Sequence, residues 1–158
     1  MSKLQFLKDW LMVASAFILA GSTFGIWASR IPAFVIRFDL SPRELGVLLF
    51  LLAFGAILSF ACSGFLSDRY GAVRISKLLA CLCLIAFICL PLAKDLLSFG
   101  FFLFLFGMFN GGLDISMNVW ASEIQRRYEK QVLSSFHAMF SLGAGIGAVL
   151  GFSAASNE

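Results

Sequence analysis

Charge is what this chain has least of. Only 13% of its 158 residues are Asp, Glu, Lys or Arg, and it has one histidine and 3 prolines. The scarcity is uneven, because charged residues are nearly absent from five windows: Trp10 to Ala28, Leu45 to Leu66, Leu78 to Ala93, Leu97 to Trp120 and Ser134 to Ala155. That excludes an ordinary soluble domain, in which about a quarter of residues are charged. No basic run is interleaved with exposed aromatics, so nucleic acid is excluded as a partner. A single histidine among scattered serines supplies neither a nucleophile with its base nor a metal cluster, which excludes an enzyme, and no cofactor is expected. Cys62, Cys81, Cys83 and Cys89 all fall inside apolar windows and lack the arrangement of zinc ligands. They are expected to be buried as small hydrophobes, with Cys81 and Cys83 on different helix faces.

What the chain does have is apolar length. It is 60% hydrophobic with a mean hydropathy of +0.92, and most of the windows approach the ~20 residues needed to cross hydrocarbon. Backbone groups in lipid must be satisfied within the segment, so the windows predict helices and not open strands. The expected fold is an all-α membrane protein with five transmembrane helices. The first window follows Lys3 and Lys8 as a signal sequence would. It is long, however, and leads into Ser29-Arg30-Ile31-Pro32 and not a small-residue cleavage site, so it is read as a span. With the N-terminus inside, the inner segments carry Lys3, Lys8, Arg69, Arg74, Lys77, Arg126, Arg127 and Lys130, against Arg30, Arg37, Arg43 and Lys94 outside. This bias predicts a multi-pass plasma-membrane protein, in a bacterium an inner-membrane one, with a cytoplasmic N-terminus; the net charge of +3 is its topology signal.

Local patterns refine the spans. Ser41-Pro42-Arg43-Glu44 is a capping box that starts the second helix and sets an outer loop of roughly Arg30 to Leu40. Ile31, Phe34, Val35 and Phe38 keep helical spacing, so the first helix is expected to extend past Pro32 as an amphipathic stretch. Gly21 and Gly25, and Gly143, Gly147 and Gly151, recur one turn apart and predict faces for close helix packing. Phe99, Phe101, Phe102, Phe104 and Phe106 cover all sides of the fourth span, and are expected to face lipid or neighbouring helices.

The turn between the second and third windows reads Gly64-Phe65-Leu66-Ser67-Asp68-Arg69-Tyr70-Gly71, with Arg74 just beyond. It resembles the loop between the second and third helices of the major facilitator superfamily, where Gly-x-Leu-Ala/Ser-Asp-Arg-x-Gly is followed by basic residues. Six positions match. The departure is at Ala72 and Val73, where the family has two basic residues. The resemblance implies that the five spans correspond to most of an amino-terminal six-helix half. It also implies an inner charge network of Gly64, Asp68, Arg69, Gly71, Arg74 and Glu123 that latches one conformation. The fifth window lacks the Gly-Pro pair of the drug and proton antiporter branch, which leaves a symporter as the expectation.

Asn110, Asp114 and Asn118 are spaced four and four and so line one face of an apolar helix. A carboxylate in a membrane helix is costly and is expected to face the protein interior or a water-filled cavity; the alternative is that Asp114 pairs with a loop arginine. The chain is similar to the fucose-permease-like sugar branch, which carries an acidic residue in the fourth helix. That similarity implies that Asp114 binds a proton or a sugar hydroxyl, with Asn110 and Asn118 beside it. His137, which begins the fifth span among Ser134, Ser135 and Ser141, is read as a second proton site, the alternative being an interfacial polar end. Leu103 and Gly107 stand where many proton-coupled members carry an arginine and its following glycine.

A full carrier of this superfamily has two six-helix halves built from inverted three-helix repeats. Residues 1–158 are therefore expected to be a partial amino-terminal domain. It lies in the lipid bilayer, moves a small molecule with a proton, and needs a carboxy-terminal half as partner. The alternative is a non-transporting membrane remnant or a packing or regulatory subunit.

Overall fold

Lys3–Phe38 forms one uninterrupted 36-residue helix, α1, in the computed structural model, which describes residues 3–155. Met1, Ser2 and the segment 156–158, with the expected outer end at Glu158, lie outside the described residues. At 1.5 Å per residue α1 is about 54 Å long, well over the ~30 Å of a hydrocarbon core. Its last turns, which contain Pro32, form the extension the apolar stripe predicts. Proline removes one backbone hydrogen bond, and here the rings of Phe34 and Phe38 pack on Phe99 with centroids at 4.6 and 5.1 Å. The outer loop is therefore much shorter than Arg30 to Leu40. The chain reverses within Asp39–Ser41, with Asp39 at φ 50°.

The second helix, α2, spans Pro42–Tyr70 and starts on the expected capping box. The Ser41 hydroxyl oxygen accepts from the Glu44 N–H at 3.3 Å, and the Glu44 carboxylate accepts from the Ser41 N–H at 2.9 Å. Its other end turns on one residue. Gly71 takes φ 93°, a conformation costly for any residue with a Cβ, and α3, Ala72–Cys89, follows at once. The third helix thus begins well before Leu78. It stops short of Ala93: Leu90 keeps helical backbone as the cap, and Pro91, which has no N–H to donate, cannot carry the hydrogen-bond ladder on.

A second capping box, unread in the sequence, starts α4, Leu96–Tyr128. The Asp95 carboxylate accepts from the Ser98 N–H at 2.8 Å. This bond and the Ser98 hydroxyl hold the Asp95 carboxyl below the usual carboxylate range. After Glu129, in left-handed backbone at φ 51° and ψ 37°, the chain enters α5, Leu133–Ala155.

The helices alternate in direction. One end of the bundle, the basic end, gathers the start of α1, the Gly71 turn and the α4–α5 turn; the opposite end holds the α1–α2 and α3–α4 turns. α1 packs chiefly on α5, and α2 and α3 on α4. Glycines set the first two seams. A Cβ on Gly21 or Gly25 would run into the carbonyls of Phe140 or Ala144, and one on Gly55 or Gly107 into those of Phe104 or Leu52. Gly143 and Gly147 abut Ile18 and Ser22 as their spacing predicts, whereas Gly145 faces open space.

Of the cysteines, Cys83 is buried, Cys89 is intermediate, and Cys62 and Cys81 are exposed on the outside of the bundle. The expectation that all four are buried is corrected for Cys62 and Cys81, since a thiol is apolar enough to face acyl chains. Cys81 and Cys83 do point to different faces. The phenylalanines of α4 divide likewise, with Phe99 and Phe106 in the core and Phe101 exposed.

Candidate functional site

α4 buries Gly111, Gly112, Leu113, Ser116 and Met117, which leaves Asp114 on its exposed side. One turn on, the Asn118 amide nitrogen donates to the Asp114 carbonyl at 2.8 Å and to its carboxylate Oδ1 at 3.2 Å. The carboxylate is therefore oriented by its own helix and keeps Oδ2 open. Among the described residues no arginine pairs with it. His137, in the first turns of α5, stands edge-on to Phe17 with ring centroids 5.5 Å apart. No hydrogen bond joins it to the Asp114 side chain among the described residues. Asp114 and His137 lie in the half of the bundle nearer the basic end, with both side chains exposed.

Asn110 has a different neighbourhood. The Cys83 thiol on α3 lies 3.9 Å from its Oδ1. The three-residue stripe therefore divides. Asp114 and Asn118 stand on the outer side of α4, while Asn110 faces Cys83 across the α3–α4 contact.

The residues of the α2–α3 turn sit at the basic end. Asp68, Arg69 and Arg74 are exposed, Arg69 lies over the Tyr70 ring at 5.4 Å, and Glu123 is half-buried on α4. Among the described residues no ion pair connects them. Gly64 has room, its nearest neighbour being Ile115 at 3.9 Å, so close helix approach does not require a glycine there. Gly71 is required by the turn itself.

One polar cluster was not read from the sequence. Asp9 on α1 is 5% exposed and accepts from the Tyr128 hydroxyl at 2.7 Å and the Gln5 amide at 2.9 Å, with Arg127 at 3.5 Å. The signal was a lone acid among Lys3 and Lys8, flanked by Phe6 and Trp10. Two cavities of about 990 and 660 Å³ lie elsewhere, toward the opposite end, the first between α2 and α4 and the second among α1, α3 and α5. Neither is lined by Asp114 or His137.

The family model of the Major Facilitator Superfamily matches residues 1–151. The chain belongs to this superfamily. Among relatives, the uncharacterized transporter y4wD of Sinorhizobium fredii is 43% identical over 148 residues, covering 94% of this chain and 39% of that protein. The membrane protein MosC of Rhizobium meliloti is 32% identical over 136 residues, 85% of this chain and 33% of that one. An uncharacterized MFS-type transporter of Yersinia pestis is 28% identical over 133 residues, 84% of this chain and 35% of that one. The chain thus spans about two-fifths or less of each of these facilitator relatives. No solved structure matches it. The all-α architecture, with five helices long and apolar enough to cross a membrane among the described residues, is that of a multi-pass facilitator segment.

Proposed function

We propose that this chain forms the amino-terminal part of a carrier that moves small polar solutes by alternating access, as a proton-coupled symporter of sugar-like metabolites. The observation that carries the reading is Asp114, a carboxylate in a spanning helix, oriented by Asn118 and exposed, as is His137 in the first turns of α5. A charge so placed is tolerated in a membrane only where water or a partner group reaches it. Protonation of Asp114 removes the penalty of closing the protein over it, so the protonated, loaded carrier changes sides and the charged, half-loaded one does not. The Asn118 amide and the His137 ring supply donors and acceptors for a hydroxylated substrate. Asn110 joins them only if α3 and α4 shift. Asp68, Arg69, Arg74 and Glu123 close the basic end in the other conformation, and that end is the cytoplasmic one.

A full path requires a second half, because the apolar faces of α2 and α5 are the least covered in the bundle and the substrate site of such carriers lies between repeats. The test is uptake into proteoliposomes holding this chain together with a carboxy-terminal half, using labelled hexoses under an inward proton gradient. Asp114→Asn is expected to abolish gradient-driven accumulation while leaving the protein folded. Undiminished accumulation would remove Asp114 from the coupling. The relatives' greater length also suits the second reading, a non-transporting remnant or packing subunit, for which no partner half would restore uptake.

A further inference from the structure

We infer that Asp9 is a positioning residue: it clasps the start of α1 to the α4–α5 turn, so that the helices carrying Asp114 and His137 are held in one register. Three donors converge on its carboxylate. Gln5, one turn before it on α1, bonds Oδ1 at 2.9 Å; Tyr128, the last residue of α4, bonds Oδ2 at 2.7 Å; and Arg127 reaches the same oxygen at 3.5 Å. Both oxygens are satisfied, which is the condition for leaving a carboxylate 5% exposed.

The neighbours extend the clasp on either side. The Tyr128 ring meets Phe6 edge-on at 5.0 Å, and the Lys130 ammonium stands 4.0 Å over the other ring of that pair, Phe6. One residue along α1, the Trp10 indole N–H donates to Ser135 of α5 at 3.0 Å while its ring stacks on Phe136 at 5.6 Å. The connection between α4 and α5 is thus gripped at Tyr128, Lys130, Ser135 and Phe136 by Phe6, Asp9 and Trp10 of α1. Inside the turn, Glu129 holds left-handed backbone without being glycine, and the Val132 N–H donates to the Gln125 side chain at 3.2 Å. A strained turn of this kind persists where its surroundings fix it.

A brace built only for stability needs no buried charge, since apolar replacements of buried ion pairs are often as stable. What a carboxylate adds is direction: it accepts from the end of α4 and from α1 in one geometry. Asp114 lies on α4 and His137 in the first turns of α5, so the angle at which these helices leave the turn sets how the two face each other. The consequence for a carrier rests on the proposed function. The positional claim does not.

The test uses the full chain in membranes, in a background lacking Cys62, Cys81 and Cys89. Two readouts are taken, both independent of transport. The first is maleimide labelling of Val132→Cys, a position 8% exposed beneath the clasp. The second is cross-linking of Asp114→Cys to His137→Cys with a short bis-maleimide. Asp9→Ala is expected to speed labelling about tenfold, the equivalent of one charge-assisted hydrogen bond, and to slow the cross-link by a similar factor. Asp9→Asn, which keeps an acceptor for Tyr128, is expected to restore much of both. Tyr128→Phe keeps the ring packing and removes only the hydroxyl, so it decides the matter if Asp9→Ala fails to fold. Labelling and cross-linking at parental rates in these variants would overturn the inference. Faster labelling with an unchanged cross-link would overturn the positioning role and leave a brace. If Asp9 controls the cross-link while Asp114→Asn leaves uptake intact, only the carrier reading falls.

Discussion

The α1·α5 and α2·α4 seams are built alike and furnished differently. In each, glycines let the two backbones approach until a Cβ would overlap a carbonyl: Gly21 and Gly25 against Phe140 and Ala144, Gly107 against Leu52 and Gly55 against Phe104. The correspondence fits inverted three-helix repeats, in which the first helix matches the fourth and the second the fifth. The chemistry does not follow the repeat. At the basic end of α1·α5 lie Asp9, Trp10, Ser135 and His137, whereas the α2·α4 seam is lined by Leu52, Phe104 and Ala56, with the Ser63 hydroxyl against Gly112 and no charged side chain among these contacts. Close packing between membrane helices therefore comes from small residues on both sides of the bundle, and polar side chains are added where two segments must be held or where water enters.

The comparison can be broken hardest at the glycines. Gly107→Leu is expected to separate α2 from α4 and prevent accumulation of folded protein, read as loss of a monodisperse peak in detergent. Next comes the site, where Asp114→Asn is expected to lower gradient-driven hexose accumulation by at least about tenfold, the scale of losing one charge-dependent interaction. Gly21→Ala and Gly107→Ala are expected to cost similar amounts, about 1–3 kcal/mol each, because both overpack a seam. Thermal unfolding of the two variants side by side measures whether the seams are equivalent.

A smaller effect separates the two ends of α4. Asp95 is ionised below the usual carboxylate range in the folded state, so its capping contribution is present above the unfolded pKa and is lost as pH falls through the lower folded one. Asp95→Ala is expected to lower the unfolding midpoint slightly at neutral pH, with the difference from the parent shrinking below about pH 4. Smallest of all is Gly145→Ala, which meets nothing within 4 Å and is expected to leave stability unchanged.

Much of this arrangement was legible in the sequence because lipid permits so few solutions. Apolar windows became five helices, the Ser41 box became a cap, and the one-turn glycine spacings became seams. Boundaries were less legible. A single left-handed Gly71 made a turn where a loop was expected, and the stripe from Ile31 to Phe38 replaced most of another loop. At the site, i to i+4 spacing placed Asp114 and Asn118 together, yet the same spacing misplaced Asn110, since a 40° advance per step turned it toward Cys83. Asp9 escaped notice because its partners, Arg127 and Tyr128, are more than a hundred residues away and only the fold brings them near.

A proton-coupled carrier of this design requires Asp114 to meet water from within a spanning helix. The direct measurement replaces Asp114 with cysteine, in the background lacking Cys62, Cys81 and Cys89, and times its reaction with a small, charged, membrane-impermeant thiol reagent in the assembled carrier. Labelling that is rapid and is slowed by substrate is the predicted result. A thiol at position 114 that stays unreactive to the charged reagent while a lipid-soluble maleimide modifies it would contradict the account.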